Sequence, residues 1–161
     1  MSGERGSGRD ETEAERLDRN LQELLGELRV ILPGVQVLFA FLLVVPFNQG
    51  FDEVTSFQRN LYLVTLLCAA GASAWLIAPV VQHRISFRRQ DKEFLVVAAN
   101  RQALVGLTLL AIAMTCAIVL VTDYIFGATT TIVAGAFVTV SFGVLWYAVP
   151  IRRRMKRDSG D

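Results

Sequence analysis

The chain of 161 residues has only one histidine and two cysteines. His83 alone excludes a cluster of histidine metal ligands within one chain. Cys68 and Cys116 have neither CxxC spacing nor a neighbouring histidine, so a zinc site and a thioredoxin-like motif are excluded as well. No basic stripe with interleaved aromatics is present, which removes the usual footprint of a nucleic-acid binder. Residues 1 to 28 are polar and carry many acidic groups. A cleaved secretory signal, which needs a short basic start and then an apolar run, is therefore not expected.

What the chain has instead is apolar mass gathered into blocks. Hydrophobic residues make up 53% of it and the mean hydropathy is +0.44. A soluble domain of this size spreads such residues periodically. Here four apolar blocks alternate with short charged segments, which leaves little room for a separate soluble domain. The net charge of +1 says little, because it averages an acidic N-terminal arm against basic segments.

Four spans follow, at about 30–47, 61–81, 103–121 and 129–149. The first is short against the roughly 17–25 residues that a bilayer crossing takes. Pro33 and Gly34 near its start predict a bend, and Pro46 marks its end. The second holds no charged residue, and its middle, Ala69 to Ala74, is a run of small side chains that lets another helix approach closely. Asp123 and Tyr124 close the third span, and Gly127 opens a tight turn. In the fourth, Gly135, Thr139 and Gly143 recur every four residues and predict a packing face, while Trp146 and Tyr147 fit an interfacial aromatic belt.

Ahead of the spans, residues 1–11 read as a disordered arm and 12–29 as an amphipathic helix. Thr12 with Glu15 fits a capping box at its start. Leu17, Leu21, Leu24, Leu28 and Ile31 recur at spacings of four and three, which makes one apolar seam. Covering that seam calls either for docking on the chain's own basic loop, which we favour, or for the same helix of a second copy. Residues 150–161 form a basic tail.

Lysine and arginine asymmetry predicts the orientation. The segment from Gln82 to Arg101 and the tail are rich in both, whereas the other two loops hold only Arg59. The positive-inside rule then puts both termini and the basic loop in the cytoplasm, with the protein in the cytoplasmic (inner) membrane. The fold class is an all-α, four-transmembrane-helix bundle with an N-terminal cytoplasmic helix.

Candidate functional positions are few. Gln36 is the most polar residue near the middle of a span. It either lines a path or acts as a hydrogen-bonding link between helices. Asp123, with Asp52 and Glu53, makes either an acidic vestibule or ordinary solvated loop ends. Arg101 at the inner mouth of the third span either pairs with a carboxylate of the N-terminal helix or, the reading we favour, snorkels to head groups. His83, Arg84 and Arg88 form a basic docking surface or simply fix topology through anionic lipids. The two cysteines read as small buried hydrophobes, or as a disulfide should they meet. No catalytic residue, metal site or cofactor is expected: the spans lack ionisable groups, and the one histidine has no serine partner at membrane depth.

The stretches ELRVILPGVQVLFAFLLVVPF (Glu27 to Phe47) and LIAPVVQHRISFR (Leu76 to Arg88) resemble a family of small bacterial integral membrane proteins of unknown function. The resemblance runs from about Leu21 to the end of the fourth span. It implies four spans, and some members carry a sodium:proton antiporter label, which the missing mid-membrane carboxylate does little to support. Two functions stand after this reading. The first is a non-enzymatic accessory, scaffold or homo-oligomeric protein, whose partners are membrane lipids and either a second copy or another membrane protein. The alternative is a small cation or proton transporter using Gln36 and Asp123.

Overall fold

A computed structural model of the chain describes residues 13–86 and 92–158. The expected disordered arm 1–11, Thr12 of the capping box and Arg88 lie outside the described residues. Five helices follow one another: α1 (Glu13–Val44), α2 (Ser56–Ser86), α3 (Lys92–Phe126), α4 (Ala128–Phe142) and α5 (Val149–Asp158). Two single 3₁₀ turns, Val45–Phe47 and Phe51–Glu53, bridge α1 to α2, and one wide turn, Gly143–Ala148, joins α4 to α5. Among the described residues there is no strand. The segments Glu15–Phe47, Ser56–Ile85, Phe94–Phe126 and Ala128–Arg153 are long and apolar enough to cross a membrane, and each contains one expected span.

The amphipathic arm and the first span are a single helix. α1 runs unbroken for 32 residues with Pro33 inside it. Its buried positions are Leu21, Leu28, Val35 and Leu42, every seventh residue. Leu24, Ile31, Leu38 and Val45 are half-buried between them, again every seventh. That is an unbroken a/d heptad seam, the pattern that keeps one helix face against its neighbours over many turns. The seam explains why Pro33 does not end the helix, since it occupies an exposed position away from the packed stripe. The leucine seam is covered within the chain: Leu28 and Val35 pack with Ala72, Leu76, Ala103 and Leu110 from α2 and α3.

α2 and α3 form the tightest pair, and small residues make that possible. Ala69, Ala72 and Ala113 are fully buried. Gly106 sits so close to α2 that a Cβ there would stand 2.6 Å from Cγ of Leu76. Where lipid removes the hydrophobic drive between helices, such close approach supplies the dispersion contact that holds them. The expected small-residue middle of the second span thus has its partner, and that partner is α3.

α4 is the outlying helix. It packs on α3 and touches neither α1 nor α2. Its only buried residues are Thr131 and Gly135, and a Cβ on Gly135 would come within 2.9 Å of Val119. The expected Gly135–Thr139–Gly143 face therefore divides, with Gly135 against α3 and the other two exposed. A single residue, Gly127, reverses the chain between α3 and α4 with φ 82° and ψ 179°. Glycine alone visits that region without strain. Further on, the N–H of Val149 bonds the carbonyl of Val144, five residues back rather than four. This widening immediately precedes Pro150, which has no N–H to continue the regular ladder.

Candidate functional site

Polar side chains gather at the end of the bundle where α1 stops, α2 starts and α3 turns. Pro46 lacks an N–H, so the carbonyl four residues earlier, that of Leu42, loses its helical donor. Tyr62 of α2 takes the vacancy: its hydroxyl donates to the Leu42 oxygen at 2.9 Å, and the bond is buried. Asn48 closes the rest of the helix end, its side-chain amide donating to the carbonyl of Val44 at 3.2 Å. Phe51 meets the Tyr62 ring edge to face, with centroids 5.3 Å apart.

α2 begins with a capping box. The N–H of Gln58 donates to the Thr55 hydroxyl at 3.2 Å, and the N–H of Thr55 donates to Gln58 Oε1 at 3.0 Å. This reciprocal pair satisfies two amides that a helix start leaves open. The Gln58 amide nitrogen is then free to donate across the bundle to Asp123 Oδ2 at 2.9 Å. Gln58 is 7% exposed, so this bond joins α2 to α3 inside the protein. Asp123 is half-buried and held, whereas Asp52 and Glu53 are exposed.

Beside this knot lies a cleft of about 300 Å³ lined largely by apolar and aromatic side chains, among them Phe51, Tyr62, Leu120 and Tyr124, with Gln58 on its wall. The Tyr124 hydroxyl stands 2.9 Å from where a Cβ on Gly50 would sit, so a larger residue there would push the Tyr124 ring aside.

The other candidate residues are scattered. Gln36 lies on the exposed face of α1, turned away from the packed seam, and its amide has no hydrogen-bond partner among the described residues. Arg101 and Arg84 are exposed and His83 is half-buried, at the opposite, basic end of the bundle. The structure thus brings Asp123 together with Gln58 and leaves Gln36 apart from both. Cys68 and Cys116 are free and half-buried, with the Cys116 thiol beside both Cys68 and the Thr65 hydroxyl. Among the described residues no three metal-ligating side chains converge.

Sequence reasoning missed Gln58, Tyr62 and the Thr55 cap. The signal for the cap was present as Thr-x-x-Gln ahead of an apolar run. The signal for Tyr62 was a proline at the end of the preceding span, which requires a donor from elsewhere.

No curated protein and no solved structure matches the chain. A family model does match it over residues 10–150, from just ahead of the expected amphipathic helix to the end of the fourth span. The chain belongs to that family, the family of unknown function DUF6328.

Proposed function

We propose that this is a non-enzymatic membrane protein that works by contact, as an accessory or scaffold subunit or as a homo-oligomer. The observation that carries the reading is Gln36. A carboxamide near the middle of an apolar span, facing outward without a partner among the described residues, is costly in hydrocarbon and is satisfied when another helix brings a polar group to it. Pro33, Gly34 and Ala40, exposed beside it, are small or compact and permit close approach, and the exposed Val37 and Phe41 add apolar surface to the same face. The outlying position of α4 gives a second free surface.

The transport alternative asks for a polar route joining Asp123 to the basic end. The packing between them is apolar, built from Leu28, Val35, Leu76 and Leu110 at one level and Leu42, Ala69 and Ala113 at the next. This weighs against a path through one copy. By the positive-inside rule the basic end faces the cytoplasm, with both termini there and the protein in the cytoplasmic membrane. A reporter fused to the C-terminus, active only on one side of the membrane, tests the orientation.

A photo-crosslinking amino acid at position 36, activated in intact membranes, tests the contact. Adducts to a polypeptide, with a control at the exposed Leu67 of α2 giving lipid adducts only, are expected. Lipid adducts alone at position 36 would overturn the reading.

A further inference from the structure

The cleft beside Gln58 has a chemistry that selects its occupant. Its body is apolar and aromatic, with Phe51, Val54, Tyr62, Leu120 and Tyr124 around a volume of about 300 Å³, the lower end of what small-molecule sites enclose. Its electrostatic setting is negative. Asp52 and Glu53 follow Phe51 directly in the chain, Asp123 lies behind Gln58, and the only cation in these two segments is Arg59. Three carboxylates against one guanidinium repel anions and attract cations. Phe51, Tyr62 and Tyr124 line the space, and an aromatic ring attracts an alkylated ammonium, which sheds water cheaply. The polar wall is preorganised, because Gln58 is buried and fixed on both sides by Thr55 and Asp123.

We propose that this cleft binds a small amphipathic organic cation, an aromatic or alkyl body carrying a quaternary or tertiary ammonium. A hydrophobic anion meets like charge there, and an inorganic cation finds no group of three acidic, histidine or cysteine side chains among the described residues. A neutral apolar molecule, or a lipid chain, uses the walls but gains nothing from the acidic groups around them, none of which lines the cleft itself.

The test compares two molecules of one shape, phenyltrimethylammonium and its uncharged carbon isostere tert-butylbenzene. Each is titrated onto the full chain in nanodiscs by saturation-transfer NMR, with empty nanodiscs as the blank. Saturable binding of the cation in excess of the isostere is expected. Asp123→Asn keeps the hydrogen bond from Gln58 and removes the charge, and it should weaken the cation about tenfold, the scale of one charge contact at a partly solvated site. Val54→Trp fills the cleft and should abolish binding while the helix content stays unchanged. Equal binding of the two probes with no effect of Asp123→Asn would reduce the cleft to a lipid crevice. Cation binding that survives Val54→Trp would place it on the surface, and no saturable binding at all would also overturn the proposal.

Discussion

The Tyr62 hydroxyl donates at 2.9 Å to the carbonyl of Leu42, the group that Pro46 leaves without a donor. A residue of the second span thus completes the hydrogen bonding at the end of the first. At membrane depth water is scarce, so a carbonyl freed by proline must find its partner in the protein.

Tyr62→Phe removes that donor and little else. Interhelical hydrogen bonds in membrane proteins contribute roughly 0.6–1.7 kcal/mol, and a loss in that range is expected for reversible unfolding in mixed micelles. In a Pro46→Ala background, residue 46 regains its N–H and the same substitution should cost less. Equal costs in both backgrounds would show that the two residues do not serve one carbonyl.

Gly106→Ala puts a methyl 2.6 Å from Leu76 Cγ and 3.2 Å from the Leu76 backbone nitrogen. Overpacking of this kind costs about 1–3 kcal/mol. Gly71→Ala meets only the terminal Cδ1 of Leu109 at 3.1 Å and should cost less. Adding Leu76→Ala to Gly106→Ala should remove the clash while leaving a cavity term, so the two changes should be non-additive in the same unfolding measurement.

Gly127→Ala forces a Cβ into φ 82°, ψ 179°. Nothing crowds the position, so the penalty is conformational, about 1–3 kcal/mol. Thermal unfolding of the variant should fall, and a neutral result would mean that the α3–α4 reversal relaxes elsewhere.

Gln58→Leu removes half of the capping box and the bond to Asp123 together. A cap alone contributes about 0.5–2 kcal/mol. Gln58→Glu keeps the cap but sets a second carboxylate beside Asp123, and at neutral pH it should be no more stable than Gln58→Leu. Hydrogen exchange at Thr55 and Gln58 reads the cap directly: the Thr55 amide should lose protection in Gln58→Leu, while the amide of residue 58 keeps its bond to the Thr55 hydroxyl, and in Gln58→Glu only the helix pairing suffers.

Architecture was legible because spans announce themselves by composition: all four expected segments lie within helices that can cross a membrane. The close α2–α3 packing was legible in Ala69 to Ala74 for the same reason. The unity of α1 was less so. The seam Leu17 to Ile31 was visible, yet its continuation through Val35, Leu38 and Leu42 is masked where nearly every residue but Gln36 is apolar and periodicity carries little contrast. Asp123 stood out as a carboxylate at a span end, but its partner Gln58 looked like ordinary loop chemistry, because pairing between positions 58 and 123 is a property of how α2 and α3 align. The outward facing of Gln36 follows from the heptad register, as the residue after the buried Val35.

The most direct test of contact through Gln36 is the mass of the complex extracted gently from native membranes, compared between the natural chain and Gln36→Leu. The natural chain should travel above its own 17.8 kDa, with a second copy or another polypeptide in fixed ratio, and Gln36→Leu should shift toward the single chain while keeping its helix content. A natural chain found alone, or a complex that Gln36→Leu leaves intact, would contradict it.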